Sequence, residues 1–162
     1  MLVEMYDKWL QGVWAQGDVS LAEQLLHEDL VDHNPLPGQP PGRAGDLWAA
    51  AAVRTAFPDL RFTLDVAFER DDLVTGRWTM TGTHTGPLEL LGLPPTGRPV
   101  SMTGQEIFRA RDGRFVEVWH QEDVGGLMRA LDLEPPAPML KLAAWRSARR
   151  YRRRRPSAAG AR

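Results

Sequence analysis

The chain changes its hydrophobic period at Pro58. Before it, Leu2, Met5, Tyr6, Trp9, Leu10, Val13 and Trp14 recur every three or four positions, which marks one face of a helix ended by Gly17. After it, Phe62, Leu64, Val66 and Phe68 alternate with Arg61, Thr63, Asp65 and Ala67, the pattern of a half-buried strand. Helices gathered ahead of strands, rather than alternating with them, point to an α+β fold.

The remaining elements follow from local signals. Ser20 and Glu23 form a capping box ahead of Leu21, Leu25 and Leu26, which predicts a second helix. Prolines and glycines make Asp32 to Gly42 a loop. The alanine-rich stretch from Ala44 to Phe57 predicts a third helix that Pro58 stops. "LVTGRWTMTGTHTG" reads as a threonine-rich strand, and "GPLELLGLPPTGRP" as a connection. Asp112-Gly113 between two alternating runs is a hairpin signal. Asp123 caps a last short helix carrying Leu127, Met128 and Leu131. The expectation is three helices, four antiparallel strands and a closing helix, with the helices packed on a curved sheet.

At 162 residues the chain suits one domain, placed at 1–133. A proline-rich linker follows at 134–140 and a basic tail at 141–162. Of 20 Lys and Arg residues, nine lie from Lys141 onward, leaving eleven in the first 140 residues against all 21 acidic ones. An acidic body argues against nucleic acid as the specific ligand of the folded domain. The arginine-dense tail is expected to be a solvated terminus, with a short basic helix on an anionic membrane or nucleic acid as the alternative. There are no cysteines, so chemistry is left to His, Asp, Glu and Tyr. Glu4 and Asp7 break the pattern of a signal peptide, and no apolar run nears the roughly 20 residues of a membrane span, so a cytoplasmic location is expected.

The stretch "EVWHQEDVGGLMRAL", Glu117 to Leu131, places a polar cluster at a strand end. With a two-residue turn at Asp112-Gly113, Gln105 lies across from His120, Glu106 from Trp119 and Met102 from Asp123. Thr103, Gln105, Ile107, Val118 and His120 then share one face, and Met102, Glu106, Phe108, Phe115, Glu117 and Trp119 the other. Both faces mix polar and apolar residues, as the wall of a cavity does. One bulge would exchange these faces.

"LHEDLVDHNP", "TGTHTGPLELLGLPPTGRPV" and "RDGRFVEVWHQEDVGGLMRAL" together resemble the SnoaL-like polyketide cyclase family, within the nuclear transport factor two fold superfamily, over residues 1 to 133. The resemblance implies a cone-shaped α+β domain, a small hydrophobic carbonyl ligand, no cofactor, and a homodimer formed through the open sheet face. In the family's cyclases an aspartate just past the strand-end tryptophan is the general acid/base of an intramolecular aldol closure; counted from the Asp-Gly turn, that position is His120. Asp123 matches a second acidic position, and Asn34 a cavity-lining asparagine, with His33 beside it. The cyclases carry Gln and His on the preceding strand, where Gln105 and Glu106 are the candidates.

Such a closure needs one base, one donor to the developing alkoxide and a shaped pocket. Histidine, with an ordinary pKa near 6.5, suits the base's task. His120 is therefore the expected catalytic base or acid, with Asp123 orienting it when it is not simply a helix cap. His33, Asn34 and Gln105 would position substrate oxygens, Trp119 would form cavity wall, and His84 the cavity mouth. The histidines lack a close ligand spacing, so no metal is expected. A non-catalytic binding protein and a small hydrolase are the alternatives on the same scaffold.

Overall fold

The N-terminal period folds as one continuous rod. Helix α1 runs Leu2–Lys8 and carries on through Trp9–Gln16 with the wider π-type winding, until Gly17 takes a left-handed conformation at φ 77°. Its apolar face enters the core, where Tyr6, Trp9, Leu10 and Val13 are buried. A computed structural model describes residues 1–134 and 137–154. By their contacts they separate into a unit from Met1 to Asp132 and a segment beginning at Leu133.

Helix α2 spans Val19–Leu25. Its cap is Asp18, whose carboxylate accepts the Leu21 N–H, and not Ser20 as the sequence suggested. The helix is also shorter than expected, because Leu26–Asp32 is strand β1. Helix α3 covers Arg43–Ala56, followed by strands β2 (Arg61–Arg70), β3 (Leu73–Thr83), β4 (Pro99–Arg111) and β5 (Arg114–Glu122), and by helix α4 (Val124–Ala130). The connection between β3 and β4 holds a single tight turn at Glu89–Leu91.

The sheet order is β1-β5-β4-β3-β2. It has five strands and is mixed, since β1 runs parallel to β5 while the other pairs are antiparallel. This corrects the expected four-stranded antiparallel sheet. The physical reason is that β1 gains its hydrogen bonds from a partner some 90 positions away in sequence, which no local pattern reports.

The β4–β5 turn is as expected, with Asp112 at φ 50° and Gly113 at φ 76°, the two left-handed positions of a tight hairpin. Beyond Arg111↔Arg114 and Ala110↔Phe115, however, the ladder resumes at Arg109↔Glu117, leaving Val116 as an extra residue on β5. Every later pair shifts by one. Glu106, not Gln105, faces His120, and Ile107 faces Trp119. The side chains of β5 beyond the bulge therefore point to the sheet face opposite to the one assigned from the turn alone.

The inner face packs as an aromatic cluster. Phe108 stacks on Phe115 at 4.4 Å between ring centroids and meets Trp9 and Tyr6 edge-on at 4.9 and 5.7 Å. The segment 137–154, expected as part linker and part solvated tail, is helix α5, Ala137–Arg154. Pro135, Pro136 and residues 155–162, the rest of that expected linker and tail, lie outside the described residues.

Candidate functional site

Between α1, α3 and the inner sheet face the core is not filled. A cavity of about 140 Å³ opens there. Most of its wall is apolar: Trp9 and Trp14 from α1, Phe62, Trp78 and Met80 from β2 and β3, and Leu88 and Leu91 from the β3–β4 connection. Into this lining project five titratable groups: Asp32, Asp46, Glu106, His120 and Glu122.

Alternation within the sheet explains three of them. Glu106, His120 and Glu122 occupy inward positions once the bulge at Val116 has reset β5. Asp32 ends β1 and lies beside Val118 in the parallel pair. Asp46 belongs to α3, on the same face as Ala49, Ala50 and Val53, which are three, four and seven residues on.

His120 is held from both sides. Its Nδ1 meets Glu122 Oε1 at 2.6 Å and its Nε2 meets Asp32 Oδ1 at 3.1 Å. Asp32 is itself fixed, accepting the Asn34 N–H at 2.8 Å and the Gln39 side-chain amide at 2.7 Å. Burial works against a charged imidazole, but the hydrogen bonds and charges of Asp32 and Glu122 outweigh it and raise His120 to about 10. Burial would likewise raise Asp32, yet its bonds from His120, Asn34 and Gln39 prevail and hold its carboxyl below the usual range. At neutral pH His120 is thus an imidazolium between two carboxylates, a proton donor rather than the free base expected from the sequence.

Glu106 is in the opposite condition. It is buried, accepts the Trp78 indole N–H at 2.7 Å and receives the Tyr6 hydroxyl. Burial dominates these stabilising bonds and pushes it up to about 8, so at neutral pH it is a carboxylic acid. Asp46 accepts one indole N–H on each oxygen, from Trp9 at 3.2 Å and Trp14 at 3.1 Å. Burial again prevails and raises it to about 6, which leaves a weakly basic carboxylate at neutral pH.

A donor imidazolium, a neutral acid and a carboxylate of moderate basicity therefore share one largely apolar chamber. That set can remove a proton from carbon at one point and return one to oxygen at another. Among the described residues no group of three or more His, Cys, Asp or Glu side chains is arranged to hold a metal ion. The carboxylates on His120 illustrate why: they approach opposite edges of the ring and do not converge on one point.

The other residues singled out from the sequence lie elsewhere. Asp123 is exposed and caps α4, accepting the Gly126 N–H at 2.7 Å, so the expected His120–Asp123 pair does not form. His33 is exposed on the outer side, stacked flat on Trp119 at 4.4 Å and bonded to Glu117 at 3.0 Å. Trp119 and Gln105 share that outer face with it, the consequence of the shifted register. Asn34 borders the site, its N–H donating to Asp32 and its side-chain oxygen accepting the His120 backbone N–H at 3.4 Å between heavy atoms. His84 is fully buried behind Phe57, with Nδ1 at 3.1 Å from the Thr96 hydroxyl and Nε2 without a hydrogen bond, and burial lowers its pKa.

Sequence reasoning missed Asp46, Asp32, Glu122 and the role of Glu106. Two of these left a trace. Asp46 interrupts the apolar face of α3, and Glu106 alternates with Met102 and Phe108 on one strand face.

No curated protein matches the chain. Solved structures do. TsrD from Streptomyces laurentii is 28% identical over 82% of this chain and 96% of its own, with a TM-score of 0.74. IdmH from Streptomyces antibioticus, a candidate polyketide cyclase, is 32% identical over 80% and 97%, with a TM-score of 0.68. AclR from Streptomyces galilaeus, a candidate hydroxylase, is 27% identical over 89% and 95%, also at 0.68. The match to a family description extends over residues 4–131, from α1 through α4. Fold and sequence thus agree: the chain belongs to the SnoaL-like polyketide cyclase family.

Proposed function

We propose that this protein is a cofactor-free cyclase, or a related lyase or isomerase, acting by general acid/base chemistry on a small polyketide-like carbonyl compound. The observation that carries the reading is that one apolar cavity holds both His120, bonded between Asp32 and Glu122, and the Asp46 carboxyl, hung from two indoles.

In an aldol closure, Asp46 takes the acidic proton from carbon between two carbonyls and leaves an enolate. The enolate carbon bonds to a second carbonyl carbon, and that carbonyl's electron pair moves to oxygen. His120 gives its proton to the alkoxide, so substrate and product have the same atoms. Asp46 now holds a proton and His120 lacks one, and exchange through solvent restores both. Asp32 and Glu122 position His120, and Glu106, neutral and donor-bound, adds a second acid beside it. Asp123 enters only as the cap that anchors α4.

The test uses a linear aryl β-triketone in deuterated buffer, followed by proton NMR. Wild type is expected to accelerate both deuterium entry at the methylene and ring formation over buffer. Asp46→Asn and His120→Gln, checked for folding by circular dichroism, are expected to lose roughly 10²- to 10⁴-fold. A compound that binds while exchanging no faster than in buffer would replace this reading with a non-catalytic binding protein.

A further inference from the structure

Helix α5 is the largest feature the cavity does not use. It spans Ala137–Arg154, beyond the family match that ends at residue 131. Its composition is one-sided: Lys141, Arg146, Arg149, Arg150, Arg152, Arg153 and Arg154 against no acidic residue. Its large apolar side chains are exposed, with Trp145 at 58% and Met139 at 61%, alongside Leu140 and Leu142. The Arg149 guanidinium lies over the Trp145 ring at 5.5 Å.

We infer that α5 docks this protein on an anionic phospholipid surface. Apolar residues gather in the first half of the helix and arginines in the second. The first half would enter the headgroup and acyl boundary, Trp145 would sit at headgroup depth, and the arginines would meet lipid phosphates. No helix among the described residues is long and apolar enough to cross a membrane. An anionic surface also explains the charge division of the chain: residues 1–136 carry ten more acidic than basic residues and are repelled from it, which leaves attachment to α5. A nucleic-acid contact would recruit the arginines but has no use for exposed Met139, Leu140 and Leu142 beside them.

The experiment is co-sedimentation of the full chain with phosphatidylcholine vesicles, with and without phosphatidylglycerol. Binding is expected only to the mixed vesicles and is expected to weaken as salt rises. The triple variant Arg146→Gln, Arg149→Gln, Arg150→Gln is expected to bind roughly a hundredfold more weakly. The same three positions as Lys should bind nearly as wild type, and Trp145→Ala roughly tenfold more weakly. An unchanged thermal transition in each variant separates loss of docking from loss of fold. Equal binding to neutral vesicles, binding indifferent to the triple variant, or no sedimentation at all overturns the inference. Retention of duplex DNA by protein that ignores the vesicles overturns it in favour of nucleic acid.

Discussion

Glu106 stands directly opposite His120 on the β4–β5 ladder, and both side chains reach the same cavity. Both hold a proton at neutral pH, Glu106 because burial raises its pKa and His120 because Asp32 and Glu122 raise its pKa against burial. The carboxyl, served by neutral donors from Tyr6 and Trp78, keeps its proton, whereas the imidazole, served by two carboxylates, keeps a charge. The family resemblance implies a carboxylate at the β5 position and an imidazole on the strand before it. In this chain β5 carries the imidazole of His120 at that position, and the carboxyl of Glu106 faces it from β4.

The charge on His120 makes stability depend on alkaline pH. Its folded-state pKa of about 10 exceeds the ordinary 6.5, so the stabilisation is complete below pH 6.5 and is lost as pH rises toward 10. The full effect is on the order of 3–5 kcal/mol. Thermal melts from pH 8.5 to 10, above the range in which Glu106 titrates, are expected to show a steady decline in wild type. In His120→Gln, starting from lower stability because Asp32 and Glu122 lose their cation, that decline should flatten. A parallel decline in both proteins assigns the titration to another group.

Glu106 produces a second window at lower pH. Its pKa is raised from 4.5 to about 8, so the folded state holds a proton that the unfolded chain releases. That contribution is present below pH 4.5 and is lost as pH rises through 8. Glu106→Gln keeps a neutral, hydrogen-bonding group and removes the titration. The variant is therefore expected to gain on wild type by roughly 2–4 kcal/mol between pH 5 and 8, with no further gain above 8. Urea unfolding at three pH values in that interval measures it.

The sequence disclosed the frame and concealed the site for definable reasons. Pro58, Gly17 and Asp112-Gly113 act on their own backbone, so their effects are local and readable. Strand β1 is different: Leu26 and Leu30 are four apart, as on a helix, and only the distant β5 makes that segment extended. The extra residue Val116 has no signature of its own, yet it decides which face His120, Trp119 and Gln105 occupy. His120 follows from the family pattern and its partners do not, since Asp32 reaches it through the distant pairing of β1, and Glu122, two positions on along β5, shares its face.

The outer sheet face carries an exposed apolar row. Phe68, Thr75, Ile107 and Trp119 form one cross-strand row, with Phe68 66% and Ile107 43% exposed. Apolar rows of this kind favour covering by a second copy. Wild type is expected to elute as a dimer, and Ile107→Glu, which places a charge in the row, as a monomer with unchanged circular dichroism. Light scattering behind size exclusion gives both masses, and a wild-type monomer at high concentration refutes the surface.

Gly104 links the sheet to the acid in the cavity. It pairs with Trp78 across β3 and β4, and the indole lies over it so closely that an added Cβ would sit 2.3 Å from the ring. Trp78 cannot yield easily, because it is buried and its N–H is bound to Glu106. Gly104→Ala is therefore expected to cost about 1–3 kcal/mol through displacement of the indole. The same displacement strips a donor that holds the Glu106 pKa down, so the residue should titrate still higher. Urea unfolding reads the first effect, and the pH dependence of the wild-type and variant difference reads the second. If Gly104→Ala loses stability with no change in that dependence, Trp78 supports packing alone and the link to Glu106 fails.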